Sequence, residues 1–138
     1  MARSVLVDTG FLVALLSRRD RHRRWATAQV AHLPVPWLTC EAALSEAFHL
    51  LSAGRDRLAE LLRRGVMRAK FSFAEDQQAI LVLMDKYGDV PMSLADACLV
   101  RMTETVDEPL LVTTDQDFRV YRRHGRQMIP CLMPGGAS

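Results

Sequence analysis

Short apolar runs alternate along the chain with longer segments whose apolar residues recur at helical spacing. "SVLV", Ser4–Val7, has the length and character of a buried strand, and Gly10–Ser17 continues it as an apolar helix. Asp20 is placed to cap a second helix running to about His32. "PVPWLT" predicts only a short strand, because Pro34 and Pro36 bring no ladder donor. Thr39 is placed to cap a helix to about Ser52, and Arg55–Arg64 predicts another. Val66–Phe73 alternates apolar and polar residues with the period of a strand. Helices over Phe73–Tyr87 and Ser93–Val106 come next, then a strand at "PLLVTT". A short helix over Phe118–Arg123 and a last strand over Gln127–Leu132 complete the pattern.

Strands separated by helices predict an α/β fold whose mainly parallel sheet, of about five strands, is covered on both faces. In such sheets, ligands bind beyond the carboxyl ends of the strands, where the strand order reverses. Asp8 stands at the carboxyl end of the first strand and Asp115 at that of the fourth, after "LLVTT". If those strands are neighbours, both carboxylates open into one crevice. Neither a linker nor a repeat interrupts the 138 residues, which predicts a single domain over residues 1–134 and a frayed tail over 135–138, in "PGGAS".

Composition narrows the picture. A hydrophobic share of 49% and a charged share of 25% are ordinary for a soluble globular domain. No apolar run reaches the roughly 20 residues that span a bilayer. The first residues read poorly as a signal peptide, because Asp8 interrupts the apolar stretch. Cys40, Cys98 and Cys131 are odd in number and far apart, which fits neither a disulfide framework nor a zinc site. Buried free thiols and a cytoplasmic location are expected. The net charge is +2, yet "SRRDRHRR" alone sets Arg18, Arg19, Arg21, Arg23 and Arg24 against Asp20. The rest of the chain is therefore acidic, and a basic patch on such a body suits either a polyanion partner or a solvated helix start.

Two more acids sit on otherwise apolar helix faces. Glu46 shares its side with Thr39, Ala42, Ala43, Leu50 and Ala53, and Asp96 shares its own with Met92, Leu99, Val100 and Thr103. Bland roles exist for each. Ser93 and Asp96 have capping-box spacing, and Asp115 or Asp117 is placed to cap the helix near Phe118. Asp8 is placed to accept backbone N–H bonds from the helix after it, and Glu46 to pair with an arginine. Taken together, four carboxylates in one site raise one another's pKa unless a cation is bound. An all-oxygen set suits Mg²⁺ or Mn²⁺, whose chemistry is water activation and in-line attack on a phosphodiester. Gly-rich dinucleotide and Walker loops are absent, and His22, His32, His49 and His124 have no ligand spacing. A receiver-type domain calls for a late-strand lysine, but the lysines are Lys70 and Lys86. A haloacid-dehalogenase-type phosphatase calls for an aspartate where Gly10 stands. A catalytically silent binding domain remains a further alternative.

"VLVDTGFLVALL", "LTCEAALSEAFHLL", "PMSLADACLV" and "LLVTTDQDFRVY" resemble, in order, the four acidic motifs of the PIN-domain family, above all its compact VapC-type toxins. The resemblance implies a three-layer α/β/α sandwich and a Mg²⁺- or Mn²⁺-dependent endoribonuclease. It places the acidic quartet at Asp8, Glu46, Asp96 and Asp115, with Asp117 as the second acid of the last motif. Thr113 falls on that motif's hydroxyl residue and Thr9 on the position after the first acid. Gly10 departs from the pattern, since many members carry a second hydroxyl there. The resemblance further implies a homodimer, an RNA substrate held by the arginine stretch, and silencing by a cognate antitoxin from a separate chain.

Overall fold

The structure is a computed structural model that describes residues 3–135, so residues 136–138 of the expected tail lie outside it. Among the described residues, seven strands and six helices follow one another. In order these are β1 Ser4–Val7, α1 Thr9–Leu16, α2 Arg23–Val30, β2 Trp37–Thr39, α3 Glu41–Leu50, α4 Arg55–Arg63 and β3 Met67–Ala69. There follow α5 Phe73–Lys86, α6 Leu94–Thr105, β4 Pro109–Val112, β5 Arg122–Arg123, β6 Gln127–Met128 and β7 Cys131–Leu132. Five strands form a wholly parallel sheet in the order β3-β2-β1-β4-β7, while β5 and β6 make a separate antiparallel hairpin.

The alternation of side chains across the strands assigns the helices to two layers. Val5, Val7 and Val112 face one core, which holds Phe11, Leu12 and Ala14 of α1, Ala26 of α2 and Leu58 of α4. Leu6 and Leu111 face the other, with Ile80 of α5 and Leu99, Val100 and Met102 of α6. Helix α3 serves both, through Ala43 on one side and Ala47 on the other. This is the expected α/β/α sandwich. Each fully buried aliphatic side chain contributes about 2 kcal/mol, which holds the strand ends rigid.

The chain steps from β1 to β2 to β3, then crosses back over the other face to lay β4 beside β1. Val7 pairs with Val112, so β1 and β4 end level, at the point where strand order reverses. The adjacency needed to bring Asp8 and Asp115 together is present.

Several element boundaries differ from expectation, each for a local reason. Asp20 does not cap α2: its carboxylate accepts the His22 N–H at 2.8 Å within a turn, and the helix starts at Arg23. Thr39 ends β2 instead of capping α3, because its hydroxyl donates to the Val7 carbonyl across the sheet, at 2.8 Å. The strand expected over Val66–Phe73 is limited to Met67–Ala69, the stretch that pairs with Trp37–Thr39. The last strand divides at Pro130, with Gln127–Met128 paired to β5 and Cys131–Leu132 to β4. Finally, Phe118–Arg123 is not a helix. A single 3-10 turn spans Gln116–Arg119, and Arg122–Arg123 then enters the hairpin. Among the described residues no helix is long and apolar enough to cross a membrane. All three cysteines are free thiols; Cys40 and Cys98 are buried, and Cys131 is half-buried.

Candidate metal centre and active site

Asp8 follows the last residue of β1 and caps α1. One carboxylate oxygen accepts the Thr9 N–H at 2.7 Å and the other accepts the Thr113 hydroxyl at 2.7 Å. Although a helix N-terminus favours an anion, burial wins here: Asp8 is 5% exposed. Burial first, then the charges of Asp96 and Asp115, push its pKa up to about 7 against the two hydrogen bonds.

Thr113 follows β4 and is fully buried. While donating to Asp8, it accepts the Asp115 N–H at 3.0 Å, so one hydroxyl fixes both acids across the β1–β4 seam. Asp115 in turn accepts the Asp117 N–H at 2.9 Å and caps the 3-10 turn. Of the two candidates, Asp115 is therefore the cap. Thr113→Val keeps the shape and removes the donor. We expect it to cost about 1.5–3 kcal/mol in urea melts at pH 8, with Thr113→Ser restoring most of the loss.

Asp96 lies in the first turn of α6 and completes a capping box with Ser93. The bland reading of this spacing is realised, but it does not consume the carboxylate. The Ser93 N–H at 3.3 Å and the Tyr121 hydroxyl at 3.1 Å both fall on Oδ2. Oδ1 receives no donor among the described residues. Burial is the main force raising the Asp96 pKa, with Asp115 adding to it. Tyr121 is fully buried, and burial together with the Asp96 charge raises its own pKa. Sequence reasoning missed Tyr121, whose only signal was its place as the last residue of the final acidic motif.

Glu46 occupies the rim. It is exposed on α3 and linked to the centre by Thr9, whose hydroxyl lies 2.9 Å from the Ala43 carbonyl and 3.3 Å from Glu46 Oε2. Gly10 leaves room for a hydroxyl from elsewhere. A Cβ on Gly10 would fall 2.2 Å from Thr114 Oγ1, so Thr114 fills the space a side chain at position 10 would take. Asp117 is half-buried, and its charge contributes to raising the Tyr121 pKa.

The structure thus brings Asp8, Asp96 and Asp115 into mutual electrostatic range, with Glu46 and Asp117 at the edge. None of the five takes part in an ion pair among the described residues. Three hard oxygens, Asp96 Oδ1, Asp115 Oδ2 and Glu46 Oε1, have no hydrogen-bond donor there, so the donor chemistry fits a divalent cation such as Mg²⁺ or Mn²⁺. No three His, Cys, Asp or Glu side chains among the described residues already converge at ligand distance. Repulsion between uncompensated carboxylates favours such separation.

The arginine stretch does not join the carboxylates. Arg18 and Arg19 line a cavity beyond the end of α1. Arg21, Arg23 and Arg24 surround a different concavity with Asp20. Within that group Arg21 donates to His22 at 3.1 Å and Arg23 to the Leu15 carbonyl at 3.4 Å.

No curated protein matches the chain in sequence. In fold it is similar to VapC20 of Mycobacterium tuberculosis, a toxin described as cleaving the sarcin-ricin loop. The TM-score is 0.70, with 22% identity, covering 85% of this chain and 94% of that one. The family model of the PIN domain matches residues 5–123, a span that runs from β1 through β5 and contains every acid of the site. By that match the chain belongs to the PIN-domain family.

Proposed function

We infer that the protein is a divalent-metal-dependent endoribonuclease and the toxin half of a toxin–antitoxin pair. The observation that carries this reading is the buried carboxylate of Asp8 beside Asp96 and Asp115, at a strand-order switch point and, among the described residues, without an ion-pair partner. Membership of the PIN family favours it over a receiver-type or phosphatase domain. So does the likeness in fold to a toxin described as cleaving the sarcin-ricin loop.

Asp8, Asp96 and Asp115 would hold Mg²⁺ or Mn²⁺, with Glu46 and Asp117 at the edge of the site to assist. When bound, the cation neutralises the acids, polarises a phosphoryl oxygen and lowers the pKa of water. Thr113 holds Asp8 and Asp115 in register across the sheet. Glu46, steadied by Thr9 and open to solvent, would take a proton from water as it attacks phosphorus in line. Arginines outside the centre hold flanking phosphates. A homodimer and a cognate antitoxin belong to the same proposal. The other reading to be tested against it is a binding domain without catalysis.

Incubating purified protein with RNA and Mg²⁺ or Mn²⁺ separates the two. Cleavage that stops on chelation and is lost in Asp96→Asn supports the nuclease. RNA binding without cleavage, together with no Mn²⁺ binding at millimolar concentration, supports the silent domain.

A further inference from the structure

Beyond the carboxylates, the molecule carries a second cluster of uncompensated charge, of opposite sign. A cavity of about 590 Å³ lies where α1 ends, closed on its other side by the loop between α3 and α4 and the first turn of α4. Arg18, Arg19 and Arg57 line it with the hydroxyl-bearing Ser17 and Ser52, and no acid does. All three arginines are exposed, and none forms an ion pair among the described residues. Elsewhere Arg63, Arg64 and Arg101 each find a carboxylate.

The cavity has a defined shape. Gly54 adopts a φ of +106°, and a Cβ there would fall 2.7 Å from the Leu16 carbonyl oxygen, so glycine lets the loop close on the end of α1. Arg57 Nη2 donates to that same carbonyl at 3.0 Å. This contact orients the guanidinium while leaving its other N–H groups without a protein acceptor among the described residues. A planar fork fixed in this way suits a phosphate better than a freely rotating ammonium does.

Position ties the cavity to the acidic centre. Leu50 lines it and Glu46 precedes Leu50 by one helical turn, about 6 Å of rise. The exposed side chains of Glu46, His49 and Leu50 make a continuous strip along α3 from the rim of the acidic centre to the arginines. A nucleic acid strand cut at the carboxylates and running along this strip reaches the cavity within a few nucleotides.

We propose that Arg18, Arg19 and Arg57 form an anion pocket that seats an RNA phosphate flanking the cut. This rests on the ribonuclease reading and adds Arg57, which the arginine stretch alone does not reveal. The test measures binding of a labelled single-stranded RNA by the full chain in chelator, at several salt concentrations. Arg18→Ala/Arg19→Ala is expected to weaken binding roughly tenfold and to reduce the magnitude of the log–log salt slope by about 1.4. The charge-matched Arg63→Ala/Arg126→Ala is expected to change neither quantity comparably. In cleavage assays with metal, Arg57→Gln is expected to raise KM severalfold with kcat unchanged, the mark of lost uniform binding.

If wild type cleaves RNA but the pocket variants match it in affinity, slope and KM, the pocket assignment falls and the nuclease reading stands. If wild type never cleaves, yet binds RNA and loses that binding in Arg18→Ala/Arg19→Ala, the pocket stands and the nuclease reading falls. Polyglutamate bound through these arginines while RNA affinity ignores them would give the pocket to a protein partner and overturn the proposal.

Discussion

Asp8→Asn is expected to lower RNA cleavage by a factor on the order of 10³ and, at the same time, to stabilise the metal-free protein at pH 8. The two effects share one cause. In the fold the Asp8 carboxyl titrates near 7, against 3.8 in a model peptide, because burial and neighbouring acids oppose ionisation. The native state thus holds a proton that the unfolded chain has already released. Its stabilising contribution is full below about pH 4, declines as pH rises through 7, and is absent above. A shift of this size corresponds to an upper bound on the order of 4 kcal/mol. Asparagine is neutral throughout and presents an oxygen to the Thr9 N–H, so it avoids that penalty while losing the charge proposed to hold the cation. Thermal melts of wild type and Asp8→Asn in chelator, from pH 4 to 8, check this. The two curves should diverge as pH rises. Parallel curves would mean that Asp8 is not held as described.

Metal binding is expected to follow the same proton. Below pH 7 a cation must displace the Asp8 proton, so affinity for Mn²⁺ should rise about tenfold per pH unit. Above 7 the carboxylate is already ionised and the affinity should level off. Binding should also raise Tm, more so at pH 8 than at pH 5.5, because the cation relieves repulsion that is absent when Asp8 is protonated. Calorimetric titration in two buffers of different ionisation enthalpy would count the released proton directly. An affinity flat across pH 5.5–8 would place the cation away from Asp8.

Much of the centre was legible in the sequence because its parts sit where regular structure leaves them. Asp8 and Asp115 follow apolar strands, and strand ends at a switch point are where an α/β sheet binds ligands. The pairing of Val7 with Val112 supplies the adjacency that spacing alone left open. Asp96 was visible both as a cap and as an acid on an apolar face. It completes the capping box with Ser93 through one oxygen and leaves the other without a donor among the described residues.

What stayed hidden depends on contacts between distant segments. Tyr121 donates to Asp96 from the core, where its ring packs edge to face on Phe118 at 5.2 Å and on Tyr87 at 5.1 Å. Local propensity describes Phe118–Arg123 as a helix, but burial of these rings and pairing of Arg122–Arg123 with Gln127–Met128 override it. Likewise Thr39 has the chemistry of a cap, yet its hydroxyl turns to the Val7 carbonyl of the neighbouring strand. Arg57 joins Arg18 and Arg19 across almost forty residues of sequence, a convergence no run of like charges announces.

The chemistry of the cut ends tests the central claim most directly. RNA cleaved by the wild-type protein in Mn²⁺ should carry linear phosphate ends with no 2′,3′-cyclic phosphate, because in the proposed hydrolysis water, not the ribose 2′-hydroxyl, attacks phosphorus. Chelator and Asp8→Asn should each abolish these products. Cyclic phosphate ends, or cleavage that persists in chelator, would contradict hydrolysis at the Asp8, Asp96 and Asp115 centre.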